Sequence, residues 1–105
     1  MKPLEGITVL EFSTMITASF AAMMMAEQGA KVIKVEPMNV GDPMRYIGAN
    51  KGGISSLFAN CNRGKQSIRV NLKESEGQEL IRELIPQVDI FIHNFRPGVM
   101  DKLNL

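Results

Sequence analysis

Three side chains with different chemistry follow one another near the end of the sequence, at Asn94, Phe95 and Arg96. They follow the apolar run 88–92, which has the composition of a buried strand, with only His93 between. An amide donates and accepts hydrogen bonds, a ring stacks, and a guanidinium holds an anion in its planar fork. Because ligands of open α/β sheets lie beyond the carboxyl ends of the strands, this loop indicates a binding site. The alternative is that Asn94 caps a turn, Phe95 joins the core and Arg96 is a solvated charge.

The rest of the sequence alternates between strand-like and helix-like segments. Runs of β-branched and apolar residues predict four strands, over 7–11, 31–36, 66–70 and 88–92. A strand, a helix and a strand within about 30 residues form a right-handed βαβ unit, which implies parallel strands. We therefore predict an α/β fold, a single Rossmann-like three-layer domain over residues 1–105 with a mainly parallel four-stranded sheet.

Two longer helices are predicted between these strands. The first covers 18–28, with Thr14 or Thr17 as its cap and Gly29 as the residue that ends it. The second covers 75–85, where Ser75 and Gln78 have capping-box spacing. Its predicted buried stripe consists of Leu80, Ile81, Leu84 and Ile85.

The segment between the second and third strands is rich in Gly, Asn and Pro. Residues 38–53 are predicted to be a loop, and 54–60 a short helix. Long connections in small domains are usually functional or mobile. A final helical turn is predicted over 99–103.

Composition restricts the class of protein. The chain has 105 residues, 45% hydrophobic and 22% charged, with a net charge of +1, which is typical of one small soluble domain. A domain of this size buries about two-thirds of its unfolded surface, so a homodimer or a complementing chain is expected to stabilise it. A single cysteine, Cys61, cannot form an internal disulfide, which fits a reducing, cytoplasmic setting. We expect Cys61 to be a buried small apolar residue.

Basic residues dominate the middle of the chain. Residues 31–73 contain two acids, Glu36 and Asp42, against eight basic residues: Lys31, Lys34, Arg45, Lys51, Arg63, Lys65, Arg69 and Lys73. These basic residues either bind an anionic ligand or are ordinary solubilising charges. The sequence supports the two interpretations equally. No pattern predicts nucleic acid as a partner. The longest apolar stretch, 16–26, is too short to cross a bilayer.

Several common chemistries lack their motifs. The turn after the first strand has no glycine, so it does not match the dinucleotide fingerprint, and Gly64-Lys65 precedes a strand rather than the helix of a phosphate loop. His93 is the only histidine, and it fits a turn at a strand end better than a catalytic base. No nucleophile-elbow pattern is present. We therefore predict no catalytic residue and no metal ligand.

Six segments keep a common order and spacing along the chain: 3–12, 29–37, 41–45, 62–68, 72–77 and 94–98. In these segments the sequence resembles the N-terminal part of the class III CoA-transferase family, which includes formyl-CoA and carnitine CoA-transferases and α-methylacyl-CoA racemases. The resemblance covers nearly the whole chain and implies a Rossmann-like domain that binds CoA along its strand ends.

The resemblance also implies which residues would contact CoA or an acyl-CoA, with no covalently bound cofactor. The first turn would lie beside the nucleotide or the thiol arm, Leu72 and Lys73 would lie near the adenosine, and two arginines would meet phosphates. The implied set is Met15, Ile16, Thr17, Arg45, Leu72, Lys73, Asn94, Phe95, Arg96 and Lys102.

Departures from the family change the expected activity. Family transferases are several times longer and use an aspartate nucleophile beyond position 105, and the racemases use a histidine and an aspartate from that part. The first turn reads Ile16-Thr17-Ala18-Ser19, where transferases usually carry Gln-Ala-Gly-Pro. We therefore predict a domain that binds CoA and is not catalytic alone. The alternatives are a fragment of a full acyl-CoA transferase or racemase, and an oligomerising interaction module without a ligand.

Overall fold

A computed structural model describes all residues, 1–105. The elements are, in chain order, β1 (Thr8–Phe12), α1 (Thr17–Glu27), β2 (Lys31–Glu36), a 3₁₀ turn (Pro43–Tyr46), β3 (Asn50–Lys51), β4 (Ile54–Ser55), α2 (Ser56–Cys61), β5 (Gln66–Arg69), α3 (Ser75–Leu84), a second 3₁₀ turn (Ile85–Gln87), β6 (Ile90–His93) and α4 (Val99–Lys102).

The main sheet has four parallel strands in the order β5-β2-β1-β6. This confirms the predicted α/β fold with a four-stranded sheet. The first three strands lie within one residue of their predicted ends. The last begins two residues late, at Ile90, because Val88 is the C-cap of the second 3₁₀ turn and its amide donates back to the carbonyl of Ile85. The order places a reversal of the chain path between β1 and β6, so both loops that follow them open at the same edge.

Successive side chains along β1 belong to two separate hydrophobic cores, one on each face of the sheet. Val9 packs with Ala22 and Val32 beneath α1, whereas Leu10 and Ile81 belong to the core beneath α3. Because successive residues of a strand point to opposite faces, α1 and α3 cover opposite sides of the sheet. The domain therefore has the predicted three layers.

The start of α1 differs from the prediction. Its N-cap is Ile16, which makes no side-chain capping bond, so neither Thr14 nor Thr17 caps the helix. The Thr17 hydroxyl accepts a hydrogen bond from Asn94 instead. Gly29 follows the helix with φ +103°, as its predicted role as a left-handed terminator requires. At 11 residues α1 is the longest helix, and no helix combines the length and apolar content that crossing a membrane requires.

The predicted capping box of α3 is wrong. Glu74 is the N-cap and makes no side-chain capping bond. The side-chain Nε2 of Gln78 donates to the carbonyl of Leu72 at 2.9 Å. Gln78 thus supports the preceding loop rather than the helix end. Within the predicted stripe, Ile81 is fully buried but Leu80 is 46% exposed.

The 38–53 segment contains more structure than the predicted loop. Asp42 caps the first 3₁₀ turn by accepting from the amide of Met44, and β3 and β4 form a small antiparallel hairpin. The hairpin turn uses Gly52 and Gly53, both at positive φ. Ser55 caps α2, which begins two residues later than predicted and ends at Cys61, buried as expected.

Candidate functional site

A cleft of about 470 Å³ lies across the carboxyl ends of the parallel strands. Parallel strands end at one edge of the sheet, so loops that are distant in sequence meet there. The lining residues are Ser13 and Thr14 after β1, 35–40 at the end of β2, 70–73 after β5, Phe95 after β6, and Leu103 after α4. The volume lies within the range of about 300–1,000 Å³ that is typical of small-molecule sites.

The cleft has an apolar side and a sparse set of charges. Leu72, Phe95 and Leu103 supply apolar surface, and Lys73 is the only cationic side chain in the lining. Its only acid is Glu36, which is fully buried. An aromatic base fits the first of these surfaces, and a phosphate fits the lysine.

The structure brings three of the ten predicted site residues together in this cleft, namely Leu72, Lys73 and Phe95. Met15 and Ile16 lie exposed on the adjoining turn before α1, and Thr17 is the exposed first residue of that helix. Arg96 and Lys102 are exposed and do not line the cleft. The two remaining residues, Asn94 and Arg45, make specific contacts within the protein.

Asn94 holds the turn after β1. Its Oδ1 accepts from the amide of Thr14 at 3.1 Å, and its Nδ2 donates to the carbonyl of Thr14 at 2.7 Å and to Oγ1 of Thr17 at 3.2 Å. Thr14 lines the cleft, so Asn94 fixes one wall of it without lining it. The side chain that the sequence offered as a ligand contact is a brace between the β1 and β6 loops.

Arg45 is bound to the one acid of the cleft. Its Nε donates to Glu36 Oε1 and its Nη2 to Glu36 Oε2, each at 2.7 Å, while its guanidinium lies 3.9 Å from the ring centre of Phe58. Burial acts to raise the pKa of Glu36, but hydrogen bonds from Arg45, Ser67 and the Asp42 amide outweigh it and lower that pKa to about 2. The pKa of Arg45 is raised by its hydrogen bond to Glu36.

A buried group of four charges lies beneath the turn after β1, and sequence reasoning missed it. Lys34 Nζ lies 2.9 Å from Glu11 Oε2 and 2.9 Å from Asp42 Oδ2, and Lys65 Nζ lies 2.6 Å from Glu11 Oε1. Each of the four side chains is at most 2% exposed. Glu11 Oε1 and Asp42 Oδ2 receive no hydrogen bond, so an ammonium group in charge contact is the only polar partner of each. The two cations balance the two anions.

We call Glu11, Lys34, Asp42 and Lys65 the charge quartet. It gives a structural role to part of the excess of basic residues in the segment 31–73. Burial lowers the pKa of Lys65, and its ion pair with Glu11 opposes that effect. Lys34, Arg45 and Lys65 each form an ion pair with an internal carboxylate, so internal acids balance their charges. Contact of Arg45 with a ligand stays a prediction. Glu11 and Lys34 are direct partners in the β1–β2 pairing. Aligning the two predicted strands in this register would have indicated that their side chains pair.

The sequence also missed several cleft-lining residues. Ser13, Asn39, Asn71 and Leu103 were not singled out, although the first three follow predicted strands by one to three positions and Leu103 ends the last predicted helical turn. Asn71 carried the clearest local signal, because its side chain accepts from the amide of Lys73 in an Asx-type turn at the end of β5.

The parallel sheet, its two flanking layers and the cleft at its carboxyl edge define a Rossmann-like α/β domain. Residues 4–105 match the model of CoA-transferase family III. Because that match covers almost the whole chain, the protein belongs to CoA-transferase family III.

Individual relatives agree with this assignment. The chain is 39% identical over 105 residues to a succinyl-CoA–D-citramalate CoA-transferase of Chloroflexus aurantiacus, covering 99% of this chain and 26% of that protein. It is 38% identical over 106 residues to a human succinyl-CoA:glutarate CoA-transferase, covering 100% and 24%. A crystal structure of a CAIB/BAIF family protein from Brucella suis superposes with a TM-score of 0.90 at 36% identity, covering 99% and 29%. The chain therefore spans about a quarter of the length of these relatives.

Proposed function

We propose that this domain binds CoA or an acyl-CoA in the cleft at the carboxyl edge of its sheet, and that it does not transfer the CoA group by itself. The observation that carries the proposal is the combination of Lys73 with Leu72 and Phe95 in one cleft of a family III domain. The parent activity of such a domain is CoA transfer between carboxylic acids, with epimerisation of an acyl-CoA as the alternative, in a cytoplasmic setting.

The lining supports an orientation for the nucleotide. Leu72, Phe95 and Leu103 offer apolar surface to the adenine, and Lys73 beside them offers a point charge to a phosphate of the same nucleotide. Thr14 and Asn71 add hydrogen-bonding groups to the same cleft.

The acids near the cleft support the absence of catalysis by this domain alone. A carboxylate nucleophile must reach the substrate carbonyl. Glu36 is bound by Arg45 and Ser67, while Glu11 and Asp42 are buried among lysines. No carboxylate of the cleft is free to attack, so a further segment or chain has to supply one.

Calorimetric titration of the purified protein with CoA and with dephospho-CoA tests the proposal. We expect saturable CoA binding, weaker binding of dephospho-CoA, and a loss of about tenfold to a hundredfold in affinity for Lys73→Ala, since a charge-assisted hydrogen bond contributes about 1.5–3 kcal/mol. Lys31→Ala is the matched control, because Lys31 is exposed at the opposite end of β2. Absence of heat at millimolar CoA, or equal losses in both variants, would refute the proposal.

A second candidate, assembly without a ligand, rests on a different observation. Ile16, Phe20 and Met24 are each between 45% and 49% exposed and recur every four residues at the start and along the outer face of α1. Such a stripe on a helix is typical of a surface that another chain covers, either a second copy or a complementing segment. Light scattering of the wild type and of Phe20→Ser separates the candidates: a dimer that the substitution dissociates, without CoA binding, favours assembly.

A further inference from the structure

Met15 occupies an unusual backbone conformation. Its φ is +65°, in the left-handed region, whereas residues that carry a side chain normally avoid this region. It lies between Thr14, which lines the cleft, and Ile16, the N-cap of α1. The conformation therefore sets the path by which the chain passes from the cleft wall into the helix.

The side chain of Asp42 forms a hydrogen bond with the backbone of Met15. Asp42 Oδ1 accepts from the amide of Met15 at 3.2 Å and from the amide of Met44 at 3.0 Å. The backbone amide of Asp42 donates to Glu36 Oε1 at 2.7 Å. One side chain thus joins the turn after β1 to the segment that follows β2.

Asp42 is itself held in place by the charge quartet. Its other oxygen lies 2.9 Å from Lys34 Nζ, and Lys34 also donates to Ser13 and Ser19 on either side of the turn. Asp42 is fully buried, so it has no solvent-exposed alternative position. A fixed acceptor of this kind holds a backbone amide more firmly than a mobile one does.

We propose that Asp42 is the positioning residue of the CoA site: it holds Met15 in the left-handed conformation and thereby keeps the turn at 14–17 in the shape that CoA requires. This inference rests on the proposed function for its binding readout but not for its conformational one. Asp42 is fully buried and does not line the cleft, so it acts through the turn.

The test compares CoA affinity in Asp42→Ala, Asp42→Asn and the double variant Asp42→Ala with Met15→Gly. Loss of a charge-assisted hydrogen bond predicts about tenfold weaker CoA binding in Asp42→Ala. Asn keeps an oxygen for the Met15 amide, so Asp42→Asn should stay within about threefold of the wild type. Glycine adopts positive φ without steric strain, so the double variant should regain much of the lost affinity. Asp89→Ala is the control, since Asp89 accepts from the Thr8 amide at the other end of the sheet.

Rescue by glycine separates positioning from a general loss of stability, because Met15→Gly relieves this turn but does not restore the ion pair with Lys34 that Asp42→Ala also removes. Equal affinities for Asp42→Ala and the double variant, or unchanged binding in Asp42→Ala, would overturn the inference. If Asp42→Ala does not fold, weak binding by a folded Asp42→Asn variant also contradicts it. NMR coupling constants and hydrogen exchange at the Met15 amide need no CoA. They should report positive φ and protection in the wild type and their loss in Asp42→Ala, so this arm decides the inference even where the wild type binds no CoA.

Discussion

Asn94 and Thr14, separated by 80 positions in the chain, form a two-point contact in which one amide side chain binds both polar groups of one backbone unit. The contact bridges the loops after β1 and β6, where the chain path of the sheet reverses. Ligands of open α/β sheets bind at that point, so this contact sets the width of the region where CoA is proposed to enter.

Removing this contact should weaken ligand binding more than stability. Asn94→Ala loses three hydrogen bonds of about 1 kcal/mol each in a largely exposed loop, so we expect destabilisation of about 1–3 kcal/mol and a clear fall in CoA affinity. Thermal denaturation and calorimetry measure the two effects. Asn60→Ala, at an exposed position of α2, should change neither. Wild-type affinity in Asn94→Ala would show that the contact does not shape the site.

The pair between Glu36 and Arg45 should give the domain a specific response to acid. Glu36 has its pKa lowered from 4.5 to about 2, so its contribution to stability is present above pH 4.5 and is lost as the pH falls toward 2. Urea unfolding between pH 7 and pH 2.5 should show this decline. In Glu36→Gln the part of the decline due to this group should be absent.

Arg45→Met tests the same pair from the other side. It leaves the buried Glu36 carboxylate without its cation, so we expect a loss of about 3 kcal/mol at pH 7. The Glu36 pKa should then rise, and the variant should lose less stability than the wild type over the acid range. Arg82→Met, which removes an exposed pair with Glu79, should cost less than about 1 kcal/mol at neutral pH.

Gly77 should be irreplaceable although it lies within a helix. A Cβ at this position would lie 2.0 Å from the carbonyl oxygen of Asn71, a backbone atom next to the cleft. Alanine is favoured over glycine in helices by about 1 kcal/mol, but the clash should reverse that and destabilise Gly77→Ala by about 1–3 kcal/mol. A Cβ at Gly53 would meet open space, so Gly53→Ala is strained only by its positive φ. Its destabilisation should therefore be smaller than that of Gly77→Ala. Chemical denaturation of both variants provides the comparison.

The core beneath α3 offers a test with adjacent residues. Ile81 is fully buried between the helix and the sheet, and Leu80 is 46% exposed. Ile81→Ala should destabilise the domain by about 2–5 kcal/mol, which approaches the whole stability of a small domain. Leu80→Ala should change stability by less than about 1 kcal/mol. Similar losses in the two variants would mean that Leu80 packs as the sequence pattern suggested.

The sequence predicted the elements well because hydrophobic periodicity carries them. The β1, β2 and β5 runs and the α1 and α3 segments were assigned within one residue at most ends, and the parallel sheet followed from their alternation. Leu72, Lys73 and Phe95 were reached as cleft residues only because strand ends and family resemblance pointed to the same loops.

The roles of polar side chains were not predictable in the same way. Lys34 and Lys65 look like surface charges in the sequence, and their burial depends on Glu11 and Asp42, which approach them only in the folded domain. Gln78 has the right type for a cap but its side chain binds the backbone of Leu72 instead. Asn94 binds the backbone of Thr14, a role that the sequence did not indicate. Partners that are distant in sequence decide such roles, and no local pattern reports them.

The pairing of Glu11 with Lys34 also has a consequence for how the sheet assembles. These two residues face each other directly across β1 and β2. A shift of the strands by two residues keeps every apolar side chain on its own face, yet it would place Glu11 opposite either Val32 or Glu36. Misaligned sheets would therefore bury an unpaired charge or two like charges, which we expect to exclude them during folding. Lys34→Met removes the partner of Glu11 in the native register, so that register loses its advantage over the shifted ones. A second set of amide signals in the NMR spectrum of this variant would report the misaligned sheet.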